Sequence, residues 1–210
     1  MGSFPVAREG WPFIVIPAAI AAGLALARRR VLATPFALAS LASLGFFRDP
    51  ERDVPRVARG VLSPADGRVV SIDEAIDDFV GPALRVSIFL SPLDVHVNRA
   101  PIEGRVVSTR YRPGKFLAAY DPEAGDVNEC MAIHLQGADG VRVTVMQIAG
   151  VLARRVVCRV SEGDKLVAGE RFGMIRFGSR TDCYLPRGTR VRVRRGQRAI
   201  GGVTVIGELA

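Results

Sequence analysis

The sequence predicts a mainly β body of barrel or sandwich type, resembling a barrel-sandwich hybrid, with an N-terminal apolar helical hairpin ahead of it. Three observations lead there. Residues 11–47 form two uncharged apolar runs separated only by Arg28-Arg29-Arg30. From Val61 onward, short apolar runs recur about every ten residues between Gly, Pro and Asp, the spacing of strands in a sandwich or barrel. An apolar fraction of 49% over 210 residues excludes a disordered chain and leaves length for one good-sized core plus an appendage.

The first element is the hairpin, residues 1–47. Trp11 to Ala27 and Val31 to Phe47 are each seventeen residues without a charge, just short of the roughly 20 that a spanning helix needs. Trp11 and the pair Phe46-Phe47 suit interfacial depth, and the three arginines suit snorkelling to headgroups. A cleaved signal peptide, with Ala25-Leu26-Ala27 as its small-residue site, fits less well, because its first segment has no net positive charge and a second apolar run follows at once. A buried core hairpin would carry a polar face, which these runs lack. Pro17 and Pro35 allow shallow insertion as well as spanning, so topology stays open.

Residues 48–60, beginning "RDPERDVPR", read as a charged, proline-bearing linker, and 61–210 as the β-rich domain. Its expected strands are "GRVVSI", "LRVSIFL", "GRVVSTRY", "CMAIHL", "VRVTVMQIAG" and "RRVVCRV". Gly163-Asp164 and Gly169 then punctuate a hairpin-rich unit that resembles carrier domains of the lipoyl and biotinyl type, but without a lysine on an exposed turn to take such a cofactor. Near the C-terminus "TRVRVRR" alternates arginine and valine, the period of a strand with one apolar and one cationic face.

The formal charge of +8, from 29 basic and 21 acidic residues, points to an anionic partner. Nucleic acid is not expected, because the charge is not interleaved with aromatics as a stacking platform requires. Cys130, Cys158 and Cys183 lie far apart with no paired histidines, so neither a disulfide framework nor a metal site is indicated, and they read as thiols in a reducing compartment. With two histidines in the chain, a general base near neutral pH has few candidates. His134 sits among apolar residues and reads as a core histidine. His96, in "SPLDVHVNRAP", is flanked by Asp94, Asn98 and Arg99 and reads as functional. Asp66 stands in the turn "SPADG" immediately before a strand.

The stretch "RFGSRTDCYLP" places Gly178-Ser179 inside an otherwise apolar run, ordinarily a turn. Together with "FFRDPER", "SPADGRVVSI", "SPLDVHVNRAP", "RPGKF" and Asn128-Glu129, in this order and spacing, it resembles the short form of the phosphatidylserine decarboxylase proenzymes over essentially the whole chain. The resemblance implies that Gly178-Ser179 is a self-cleavage site and that Ser179 becomes a covalent pyruvoyl group. Ser179 Oγ attacks the carbonyl of Gly178, where glycine tolerates close approach, and the acyl group moves from nitrogen to oxygen. Loss of the α-proton then expels the Gly178 carboxylate, and the dehydroalanine left behind hydrolyses to the pyruvoyl group and ammonia. That ketone serves as the electron sink for decarboxylation.

The resemblance further implies a non-covalent pair of chains, 1–178 and 179–210, with a higher oligomer left open. It implies phosphatidylserine as substrate, no metal, and a place at the cell membrane with the catalytic domain on the cytoplasmic face. Asp66 matches the family's aspartate and His96 its first histidine, but Arg99 stands where a second histidine is expected. Arginine cannot act as a base, so Asp66 is assigned to self-cleavage and His96 to decarboxylation, although either could be the cleavage base. The alternatives are a membrane-anchored, non-catalytic barrel-sandwich adaptor, which stays one chain, and a pyruvoyl decarboxylase of a soluble amino acid, which has no need of the apolar hairpin.

Overall fold

The alternation of Val86, Ile88 and Leu90 with Arg85, Ser87 and Phe89 is that of a strand with one face in a core, and all three aliphatic side chains are fully buried. In the computed structural model, which describes residues 6–118, 121, 123–151, 155–176 and 179–210, this segment lies in the middle of an antiparallel sheet. The chain divides into two compact units, 1–51 and 52–210.

The first unit is a helical hairpin, α1 (Trp11–Leu26) and α2 (Arg30–Phe46). Arg28, with φ of 60°, makes the reversal between them. Ser40 Oγ donates to the Ile14 carbonyl at 2.8 Å, tying one helix to the other. Phe47 stacks on Phe13, with ring centroids 5.4 Å apart. Leu26, Val31, Leu38 and Leu41 remain exposed. The helical run Arg8–Leu26 is long and apolar enough to cross a membrane by length and composition, and at 1.5 Å per residue it extends about 28 Å.

The second unit holds fourteen described strands and one short helix: β1 (Gly60–Leu62), β2 (Gly67–Asp77), β3 (Gly81–Leu90), β4 (Val97–Arg99), β5 (Gly104–Arg112), α3 (Ala124–Val127), β6 (Cys130–Gln136), β7 (Arg142–Ile148), β8 (Val156–Cys158), β9 (Lys165–Leu166), β10 (Arg171–Ile175), β11 (Ser179–Pro186), β12 (Arg190–Val191), β13 (Arg198–Ala199) and β14 (Val205–Glu208). Eight of them form one curled antiparallel sheet in the order β13-β2-β3-β11-β7-β6-β5-β9. Two three-stranded sheets, β4-β10-β8 and β1-β14-β12, accompany it. The molecule is therefore mainly β with an N-terminal apolar hairpin, the class the sequence predicts.

Val69, Ile88, Leu90, Ile133, Leu135 and Val145 make the centre of the core; each fully buried aliphatic side chain contributes roughly 1.5–3 kcal/mol. Strand β11 is the exception to alternation, because both its faces are covered. Cys183 and Leu185 join the core, while Gly125 of α3 packs over Arg180 and Asp182 on the opposite face. The expected C-terminal strand is shorter than its pattern. Arg190–Val191 pair with β14, Arg192 N–H still donates to the Ile206 carbonyl at 3.0 Å, and Val193 turns inward while Arg190, Arg192 and Arg194 face water.

Candidate active site

Ser179 is the first residue of β11 and lies opposite Leu90, the last residue of β3. One position further in, Arg180 faces Phe89, and Phe89 faces Arg68 of β2. Asp66 stands two residues before Arg68, in the loop that leads into β2, so Asp66 and Ser179 lie at the same end of the sheet, on either side of β3. Two strand spacings put their backbones roughly 10 Å apart. The loop leaving Leu90 carries His96. All three candidates thus gather around the β3 terminus. Gly178 lies outside the described residues.

Each is held by its surroundings. The Asp66 carboxylate takes an N–H from Gly201 at 2.8 Å on Oδ1 and the Arg52 guanidinium at 2.9 Å on Oδ2. Its loop is pinned further by Ser63 N–H to the Thr204 carbonyl and Gly202 N–H to the Ser63 carbonyl, both 2.8 Å. In the His96 loop, Asp94 Oδ2 accepts from Ser91 N–H at 2.9 Å and Ser91 Oγ at 2.7 Å, while Oδ1 accepts from Arg198 at 2.6 Å. The Asp94 carbonyl lies 2.9 Å from His96 Nδ1. A carbonyl can only accept, so Nδ1 carries the proton in neutral His96 and Nε2 is the basic nitrogen. The ring is fully buried. Its own carbonyl accepts from Ile175 N–H at 3.2 Å, which ties His96 to the end of β10, four residues before Ser179.

Ser179 Oγ is buried and has no hydrogen-bond partner among the described residues. Neither Asp66 nor His96 bonds it directly. Arg99, at the place of the expected second histidine, is buried and donates from Nη1 to the Gly169 carbonyl at 3.0 Å. It ties the end of β4 to the turn at Gly169.

Arg52, Gln147 and Thr181, none of them singled out in the sequence, also take part here. Arg52, inside the stretch read as linker, provides the cation beside Asp66. Asn98 Oδ1 accepts from Gln147 Nε2 at 2.8 Å, and its Nδ2 donates to Thr181 Oγ1 at 3.1 Å and to the Pro64 carbonyl at 3.3 Å. One buried amide therefore joins the Asp66 loop, β7 and β11. A glutamine in the apolar run "VRVTVMQIAG" was the available signal, since a buried polar side chain is kept only when it is bonded. Burial, then the Asp182 charge, pushes the Tyr184 phenol up to about 12 and raises Cys183 as well, so neither ionises near neutral pH. Among the described residues no cluster of His, Cys, Asp and Glu could hold a metal ion.

A family model described as phosphatidylserine decarboxylase matches residues 41–207. The chain belongs to the phosphatidylserine decarboxylase family. Curated relatives, each named phosphatidylserine decarboxylase proenzyme, include those of Symbiobacterium thermophilum, 50% identical over 97% of this chain and 95% of that protein, and Nitrosomonas europaea, 46% identical over 97% and 94%. The protein of Aromatoleum aromaticum is 44% identical over 97% and 95%. The chain is thus a member of a family of carboxy-lyases whose relatives carry proenzyme names.

Proposed function

We propose that the chain is a proenzyme that cleaves itself between Gly178 and Ser179 and then decarboxylates phosphatidylserine to phosphatidylethanolamine with a pyruvoyl group derived from Ser179. The observation that carries this reading is the Ser179 hydroxyl, buried and without a partner among the described residues, at the head of a strand bonded on both sides by β3 and β7. An unsatisfied buried hydroxyl costs about 1–3 kcal/mol, and such a cost is kept where chemistry needs the group.

A pyruvoyl group fits this position. It is built on the carbon skeleton of residue 179, is uncharged, and asks for no donor from the apolar neighbour Leu90. The ladders of Arg180 with Phe89 and Ile148 would hold it. When formed, the group supplies the electron-accepting carbonyl that lets carbon dioxide leave. The chain's own residues do the rest. Asp66, charged beside Arg52, takes the Ser179 proton through an intervening water. His96 Nε2 holds a proton for the substrate carbon after carbon dioxide departs, a task suited to an imidazole near neutral pH. Arg99 moves no proton.

The two chains would stay together after cleavage. Residues 179–210 contribute β11 at the middle of the large sheet, β13 at its edge, and β12 and β14 beside β1. The apolar helices support attachment to the cell membrane, and three free cysteines support a catalytic domain on the reducing, cytoplasmic side. Intact mass under denaturing conditions tests the reading. Two chains are expected, the shorter beginning at residue 179 with a pyruvoyl group and no free α-amine, and Ser179→Ala should stay as one chain. A single unmodified wild-type chain, as an adaptor would give, overturns it.

A further inference from the structure

The arginines of residues 190–198 have little share in the site above, apart from Arg198, yet the fold gathers them. Gln197 N–H donates to the Arg194 carbonyl at 3.1 Å, and Arg194 N–H donates back to Gln197 Oε1 at 3.1 Å. Gly196, with φ of 85°, takes the left-handed third position of this turn. Arg194 and Arg195 are held out at its tip, exposed, beside an open pocket of about 600 Å³. Arg68 Nη1 donates to the Gly196 carbonyl at 2.7 Å, and Arg68 faces Arg198 directly across the β2–β13 ladder. Like charges in that position repel. Of the four, Arg198 has a carboxylate partner, Asp94; among the described residues, Arg68, Arg194 and Arg195 form no ion pair.

We propose that this turn docks on the anionic headgroups of a bilayer. Exposed guanidinium groups on a rigid turn match phosphate oxygens, which they engage in a fork and for which they shed water readily. Residues 187–200 include no aromatic side chain, so the patch lacks the stacking surface of a single-strand nucleic-acid binder. Near an anionic surface each such basic residue adds to attachment, over and above what the apolar helices contribute. The turn is bonded to β2 next to the Asp66 loop, with Gly196 N–H on the Val69 carbonyl at 2.7 Å. Docking it turns the Asp66 end of the sheet toward the headgroups. The biological purpose of this contact rests on the membrane reading above, but the contact itself is testable without catalysis.

The test is partitioning of the purified full chain onto vesicles that contain no phosphatidylserine, either phosphatidylcholine alone or phosphatidylcholine with about one third phosphatidylglycerol. The wild type should prefer the anionic vesicles by roughly tenfold or more at low salt, and molar salt should remove the preference. Arg194→Gln with Arg195→Gln should lose most of the preference while binding neutral vesicles as before, and Arg194→Lys with Arg195→Lys should keep the part of it that charge alone supplies. Millimolar inorganic phosphate should leave it intact; if phosphate abolishes it, the turn is a discrete anion site and not a docking surface. An unchanged preference in the double glutamine variant overturns the proposal. So does an oligonucleotide affinity that this variant loses while its vesicle binding is unaffected.

Discussion

Arg180 and Asp182 of β11 clasp each other through two parallel hydrogen bonds, Nε to Oδ1 at 2.7 Å and Nη2 to Oδ2 at 2.6 Å, with both side chains buried. The clasp sits directly after Ser179 and beneath Gly125. A buried ion pair is worth little against apolar residues of the same volume, but removing one member strands a charge, at a cost of about 3–5 kcal/mol. Asp182→Ala is therefore expected to lower the thermal midpoint by roughly 10 °C or more and to slow self-cleavage. The double replacement Arg180→Met with Asp182→Leu should recover most of the midpoint. Calorimetry of the three proteins checks this, and equal losses in the single and double variants would show that the pair matters for more than charge balance.

Gly67 opens β2 with φ of 151°, and a Cβ there would stand 2.1 Å from the Phe89 carbonyl oxygen, which is backbone and cannot swing away. Gly67→Ala is expected to cost on the order of 3 kcal/mol, visible as a lower urea midpoint at unchanged slope. Because Gly67 follows Asp66, the displaced loop should also delay processing into two chains. A variant as stable and as quickly cleaved as the wild type would show that the sheet relaxes around the added methyl group.

The fold was legible where side chains alternate or run apolar together. "LRVSIFL" became β3 because Val86, Ile88 and Leu90 need one dry face, and residues 11–47 became helices with their apolar surface left exposed, as their uninterrupted composition required. Ser179, Asp66 and His96 were singled out as candidates from motifs. Their gathering at one sheet end was not legible, because the register between β3 and β11 depends on pairings such as Ser179 with Leu90, between residues distant in the chain. Arg52 was hidden for a related reason, since a charged, proline-bearing stretch looks the same whether or not one of its arginines reaches a carboxylate. Gln147 donates to Asn98 only once β4 and β7 are folded, so neither showed its partner in sequence.

His134, the other histidine, bears on pH rather than on catalysis. Its ring stacks on Phe79 with centroids 4.8 Å apart, and Nδ1 lies 2.7 Å from Ser108 Oγ. Burial holds its pKa below the ordinary histidine value, outweighing the nearby Asp77 charge. The folded state therefore prefers neutral His134, and the unfolded chain binds a proton more readily. Its contribution to stability is fully present above the unfolded-state pKa near 6.5 and is lost as pH falls below that toward the folded value. Denaturant midpoints measured between about pH 7.5 and 5 should fall for the wild type and fall less for His134→Gln. An identical pH slope in both proteins would assign the effect to other groups.

The division of labour between Asp66 and His96 gives the last expectation. Asp66 is fixed by Arg52 and the Gly201 amide in the loop just before β2, and among the described residues no hydrogen bond joins it to the Ser179 hydroxyl, so the part in self-cleavage proposed for it would run through water. Asp66→Asn keeps an oxygen for the Gly201 N–H but loses the negative charge. It should fold and remain a single chain. His96 points a basic Nε2 away from the Asp94 carbonyl that fixes its tautomer, and it is the remaining imidazole near this end of the sheet. His96→Ala should cleave into two chains yet release carbon dioxide more slowly, by roughly the 10²- to 10⁴-fold that a positioned acid contributes. A denaturing gel and a carbon dioxide assay on the two variants separate the roles. If His96→Ala stays as one chain, the buried imidazole has taken the cleavage role that Arg99 cannot fill, and the assignment of Asp66 as the cleavage base is wrong.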